Sequence, residues 1–167
     1  RFDVVGVFMT ALVAATGGGL IRDGVLLQTI PPVLTNPLYL PLVAATTVFA
    51  IALAKHLHNA RKLETLIELV DAVGTPAFAV VSVEFARQAN LPLPGVLLVG
   101  CVGGVGGGVL RDIVVREIPE IMQPGRYLAI LVALSCALYM ILTIGLSLPA
   151  APVAWGAVAF YFCVRLL

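Results

Sequence analysis

The sequence predicts an all-α polytopic membrane protein: inverted repeats of three transmembrane helices plus one C-terminal helix, with the first helix missing from this chain. Three observations predict it. Of 167 residues, 60% are hydrophobic and only 11% charged, where a soluble domain carries about 25% charged residues. Uncharged runs recur at close to the roughly 20 residues that a bilayer crossing needs. One motif is written twice, as Gly17-Gly18-Gly19-Leu20-Ile21-Arg22-Asp23 and as Gly106-Gly107-Gly108-Val109-Leu110-Arg111-Asp112.

In chain order, 4–21 is uncharged and continues as a helix past Arg22-Asp23 to Ile30, where Pro31-Pro32 is expected to stop it because proline lacks the N–H and clashes with the preceding turn. Asn36-Pro37 opens a second span over 38–54. Residues 55–64 form a basic loop with Lys55, His56, His58, Arg61 and Lys62. The third span, 66–85, carries Glu68, Asp71 and Glu84 and is interrupted by Gly74 and Pro76. The fourth, 91–110, is rich in glycine and runs on to Ile118 before Pro119. Residues 127–164 carry no charge and are too long for one helix; Gly145, Pro149 and Pro152 divide them in two, giving six spans.

The two motif copies lie 89 residues apart, and Gly6 matches Gly95 at the same offset. One residue out of step, Pro31 matches Pro119 and Tyr39-Leu40 matches Tyr127-Leu128. Three spans separate the copies, an odd number, so the repeats are expected to be inverted about an axis in the membrane plane. The units are then 1–62, 63–148 and an extra helix at 149–167; the first unit lacks a counterpart of the 66–85 span, which is expected to precede Arg1. With 55–64 and the C-terminus in the cytoplasm, Arg1, Lys55, Arg61, Lys62, Arg111, Arg116, Arg126 and Arg165 fall inside and only Arg22 and Arg87 outside, as the positive-inside rule requires. This is the topology of a multi-pass plasma-membrane protein.

Composition and motifs also exclude. A net charge of +1 argues against a nucleic-acid partner. Cys101, Cys136 and Cys163 sit in apolar runs without ligand spacing and read as small hydrophobes. No nucleophile–base pair or cofactor loop is present, and the glycines lack the Lys-Ser/Thr of a phosphate loop, so an enzyme, a cofactor and a metal site are not expected.

Three successive glycines each cost a helix about 1 kcal/mol relative to alanine. In a membrane helix they serve a bend, which frees carbonyls toward an ion, or the close approach of another helix. Doubled at repeat positions, Gly17, Gly18, Gly19, Gly106, Gly107 and Gly108 are read as kinks lining a pore. Arg22, Asp23, Arg111 and Asp112 mark either helix ends at the headgroups or intramembrane charges facing a cavity. Sequence neighbours do not face each other on a helix, so the expected pairs are Arg22 with Asp112 and Arg111 with Asp23. Asp71 is either an interfacial carboxylate at a helix N-terminus or a pore or gate contact. Tyr39 and Tyr127, which start matching spans, are either interfacial anchors or hydrogen-bonding groups of the pore.

The doubled Gly-Gly-Gly-x-x-Arg-Asp, the prolines after each glycine helix, and Asp71-Ala72-x-Gly74 resemble the TRIC family, the trimeric intracellular cation channels, and in particular its prokaryotic members, whose domain also carries the label glycine transporter. The resemblance covers essentially the whole chain. It implies a homotrimer of seven-helix protomers in membrane lipid. Each protomer would hold its own pore, lined by the two glycine-kinked helices and passing monovalent cations, chiefly potassium, with potassium or sodium as the permeant ion. The lysine-bearing phosphoinositide motif of animal members has no match at 108–112 and is not carried over. A second reading is a secondary transporter for glycine or another small zwitterion, because inverted repeats serve both classes. The scarcity of polar groups beyond the charged pairs, mainly Thr10 and Thr16, leans toward the channel.

Overall fold

The computed structural model describes residues 3–56, 60–124 and 127–166. His58 and the side chains of 54–64 in the basic stretch lie outside that description, as do Arg1 and Arg126. All regular structure among the described residues is helical: α1 (Val4–Leu20) with a π-helical continuation (Ile21–Leu26), α2 (Pro32–Thr35), α3 (Tyr39–His56), α4 (Ala60–Gln88), α5 (Leu93–Val115), a 3₁₀ turn (Glu120–Met122), α6 (Leu128–Met140) with a second π turn (Ile141–Gly145), and α7 (Ala150–Leu166).

Four stretches are long and apolar enough to cross a membrane: Val4–Leu26, Thr65–Gln88, Leu93–Val115 and Leu128–Gly145. Two shorter apolar helices, Tyr39–Leu53 and Ala150–Arg165, complete the six expected positions. The 17 residues of α7 rise about 26 Å, just short of the roughly 30 Å hydrocarbon core. The surface is apolar, with Met9, Phe49, Val70, Leu98 and Trp155 all exposed. Arg22, Asp23, Ser82, Asp112 and Ser135 are buried. Four buried hydroxyls bond their own helices: Thr16, Thr47, Ser82 and Thr143 each donate to the carbonyl four residues back at 2.7 Å.

α5 is the central element, packed between α1 and α4, with α6 and α7 closing the bundle and α3 lying on α1. The apolar core is formed by α4 to α7, from Ala79, Val83, Val96, Val132, Tyr139 and Tyr161 among others. α5 makes these approaches through its small residues. A Cβ on Gly100 would lie 2.6 Å from Val83 Cγ2, and one on Gly104 2.7 Å from the Ala79 Cβ. This pair therefore seats α4, as does Gly103, where a Cβ would lie 2.6 Å from the Ser82 Cβ, whereas Gly106 and Gly107 face α1, so small residues bring both neighbours close to one helix.

Two sequence expectations about breaks are corrected. α4 runs unbroken through Gly74 and Pro76; a single missing N–H leaves the turns on either side bonded, and Pro76 is itself fully buried against neighbouring helices. Nor do Pro31-Pro32 and Pro119 stop their helices. The helical stretches end earlier, at left-handed residues: Gln28 (φ 53°) and Arg116 (φ 62°), as also at Asn90 (φ 55°) and Ser147 (φ 52°). The amide that follows each returns to an earlier carbonyl, Thr29 to Asp23 at 2.8 Å and Glu117 to Asp112 at 2.9 Å. The prolines then start the next turns, Pro31 capping α2 and Pro119 the 3₁₀ turn. A side chain in the left-handed region costs about 1 kcal/mol, so Arg116→Gly is expected to raise the thermal midpoint in detergent. A lowered midpoint would show that the Arg116 side chain holds more than its backbone costs.

Candidate functional site

The two glycine triplets meet each other. A Cβ on Gly18 would lie 2.5 Å from the Gly103 carbonyl oxygen and 3.2 Å from the Gly107 nitrogen, and one on Gly107 would strike the Ala14 carbonyl oxygen. At the first positions, a Cβ on Gly17 would meet Leu110 (2.7 Å to Cδ1) and one on Gly106 would meet Ile21 (3.5 Å to Cδ1). These contacts are reciprocal under the 89-residue offset. Gly18 meets the residue four before Gly107, and Gly107 the residue four before Gly18; Leu110 and Ile21 are equivalent positions. Such reciprocity is what a two-fold-related interface produces. Because Ala14 faces Gly107 while Arg22 reaches beside Gly103, α1 and α5 run in opposite directions.

The third glycines behave differently. A Cβ on Gly108 would meet nothing within 4 Å, and one on Gly19 only Arg22 Nη2 at 3.9 Å. The expected break at the triplets is not where the helices change. α5 is regular through Gly106–108 to Val115, and α1 through Gly17–19 to Leu20. The departure comes one residue later, in the π turn Ile21–Leu26. A π turn accommodates an extra residue in the helix. That accounts for the slip between the repeats: Asp23 and Asp112 are 89 apart, whereas the left-handed terminators Gln28 and Arg116 are 88 apart.

Each arginine pairs with its own neighbour, which corrects the expected cross-pairing. Arg22 Nε and Nη2 donate to the two oxygens of Asp23 at 2.6 and 2.7 Å. Arg111 donates from Nε to Asp112 Oδ1 at 2.9 Å and from Nη2 at 2.8 Å. The antiparallel crossing carries Arg22 to the level of Gly103, nine residues or about 13 Å along α5 from Asp112. Adjacent Cβ atoms diverge, but the long arginine stem curls back to present its fork to the next carboxylate.

The two pairs differ in setting. Arg22 and Asp23 side chains are 6% and 1% exposed. Arg22 Nη1 also donates to Ser82 Oγ at 3.3 Å, and its guanidinium lies 4.1 Å from the Phe85 ring centroid. Arg111 is 31% exposed. Its partner Asp112 accepts from the Glu120 amide at 3.1 Å, tying down the 3₁₀ turn.

Between these pairs, four adjoining cavities follow one another along α4. One of about 220 Å³ opens among Glu68, Asp71, Arg111, Glu117, Glu120 and Arg165. It shares Asp71, Arg111, Asp112 and Glu120 with a narrow one of about 30 Å³. That shares Asp71, Thr75, Gly104 and Gly108 with a third of about 150 Å³ along the glycine groove. The third shares Ala15 and Phe78 with a fourth of about 90 Å³ beside Gly19, Arg22, Asp23 and Tyr39. Asp71 thus borders three of the four, and Phe78 marks the neck between the last two. Asp71 is paired with Arg165 at 2.7 Å. The sequence reading missed Phe78, Ser82, Phe85, Glu120 and Arg165. None carries a repeat or motif signal; each is brought in by tertiary contact.

A family model described as glycine transporter matches residues 1–55 and 68–144. A UPF0126 membrane protein of Deinococcus radiodurans is 36% identical over 122 residues, 73% of this chain and 55% of that protein. The chain thus spans little more than half the length of this curated relative. Among solved structures, a prokaryotic TRIC channel crystallised in 0.5 M KCl is 29% identical with a TM-score of 0.88, covering 99% of this chain and 81% of that one. A TRIC trimeric intracellular cation channel orthologue from Rhodobacter sphaeroides is 26% identical with a TM-score of 0.81, covering 98% and 90%.

Proposed function

The chain belongs to the TRIC family, the prokaryotic branch that also carries the glycine-transporter label, and from that membership we propose that it is the core of a potassium-conducting channel. The family is one of membrane channels and not of enzymes. The observation that carries the reading is the row of four adjoining cavities along α4, the third of which lies where α1 and α5 cross. Its wider mouth gathers five carboxylates, Glu68, Asp71, Asp112, Glu117 and Glu120, against two arginines. That excess of negative charge favours cations in a cleft walled by low-dielectric helices. The reciprocal glycine contacts and the one-residue slip support inverted repeats at 1–62 and 63–148, with 149–167 as the additional helix. Membership supports a homotrimer with one path per protomer, and the basic residues support a cytoplasmic mouth at Arg111 and Arg165.

Single-channel recording of the full-length protein in a planar bilayer tests the class. Unitary potassium currents are expected. No current, together with counterflow of labelled glycine, would overturn the channel in favour of the transporter. Gly108 lines the groove with nothing opposite its Cβ, so Gly108→Leu is expected to leave folding intact and cut unitary conductance at least about fivefold by filling the path. Wild-type conductance in this variant would place the path elsewhere.

A further inference from the structure

We propose that Arg165, on the last turn of α7, is a latch that regulates this path by holding Asp71; the inference rests on the channel reading. Arg165 is 12% exposed on its side chain, and its Nη1 donates to Asp71 Oδ2 at 2.7 Å. Its Nη2 donates to Glu120 Oε1 and Oε2 at 3.3 and 3.4 Å. The Tyr161 hydroxyl, one turn back, is 3.4 Å from Nη1 and steadies the guanidinium. One cation on α7 therefore bridges a carboxylate of α4 to a carboxylate of the 3₁₀ turn, a task suited to the planar five-donor fork of arginine.

The position of Asp71 gives the bridge its consequence. Asp71 borders the mouth and both cavities beyond it, so an ion moving inward passes its carboxylate. With Arg165 engaged, that carboxylate is neutralised by a tethered charge that bulk ions must displace. When the end of α7 withdraws, Asp71 and Glu120 face the mouth with their charges uncompensated by it. α7 thus sets the potential at the entrance without supplying any of the glycine helices that line the groove.

The test is unitary potassium conductance of full-length Arg165→Gln in planar bilayers at about 0.1 M and about 1 M KCl, with a thermal scan of the same preparation. The latch predicts a gain of about two- to threefold at the lower salt. The gain should fade at 1 M, where the screening length falls from about 10 Å to about 3 Å. Arg165→Lys, which keeps the charge, should behave as wild type, and adding Asp71→Asn to Arg165→Gln should abolish the gain. A lowered midpoint with unchanged unitary conductance would make Arg165 a structural tie and overturn the proposal. If Arg165→Gln does not fold, Asp71→Asn alone decides: conductance reduced about twofold or more supports the latch, and unchanged conductance overturns it. A wild-type protein that passes no current overturns the channel reading and the latch with it, whereas a conducting wild type with an unresponsive Arg165→Gln overturns the latch alone.

Discussion

Alanine at Gly18 or Gly107 is expected to remove most of the folded protein, while alanine at Gly19 or Gly108 leaves it intact or slightly stabilised. All four substitutions gain helix propensity, at most about 1 kcal/mol. The difference lies in what the new methyl meets. At Gly18 it lies 2.5 Å from the Gly103 carbonyl oxygen and 3.2 Å from the Gly107 nitrogen, and at Gly107 it strikes the Ala14 carbonyl. These are backbone atoms that no rotamer change moves. The helices must separate, which undoes the α1–α5 seam along its length. Overpacking a fitted interface costs about 1–3 kcal/mol even where side chains yield, and a rigid backbone sits at or above the top of that range. At Gly108 nothing lies within 4 Å, and at Gly19 only the end of Arg22. Thermal scans by fluorescence-detected gel filtration separate the cases. Equal midpoints for the Gly18→Ala and Gly108→Ala proteins would contradict the division of labour within the triplets.

That division was half legible in the sequence. The doubled motif gave the repeat, its odd number of intervening spans and the position of the two special helices, because glycine runs and charges in apolar surroundings stand out at the level of composition. The kind of use was not legible. Bend and close approach both call for glycine, and only the facing atoms tell them apart: Gly18 and Gly107 seat a backbone, Gly19 and Gly108 face open space. The slip of one residue between Asp23 and Gln28 was visible as a shift in alignment. Its cause, a π turn, is a hydrogen-bonding pattern with no residue signature. The partner of Asp71 was the least legible, since Arg165 lies 94 positions away and is distinguished in sequence only by its charge.

The pairing of each arginine with its neighbour leads to the second large effect. Asp23→Asn is expected to destabilise strongly, and Asp112→Asn only mildly, although the two sit at equivalent positions. Around Arg22 the guanidinium has Asp23, Ser82 and the Phe85 face and almost no solvent. Neutralising Asp23 strands a buried positive charge, a loss of roughly 3–5 kcal/mol for a broken buried pair. Arg111 is 31% exposed at the wide mouth, where water and the carboxylates of the cavity compensate it, so the loss there is about 1 kcal/mol. Asparagine at 112 also keeps a carbonyl oxygen able to accept from the Glu120 amide. The Asp112→Asn protein therefore remains available for transport measurements. With one negative charge fewer at the mouth, its reversal potential under a potassium chloride gradient should move toward that of chloride. If that potential stays where the wild type has it, Asp112 is a tie for the 3₁₀ turn, and selectivity rests on Asp71 and the other carboxylates of the mouth. Comparable loss of folded protein in the two variants would instead mean that the exposure of Arg111 gives it no relief, and that both pairs are structural.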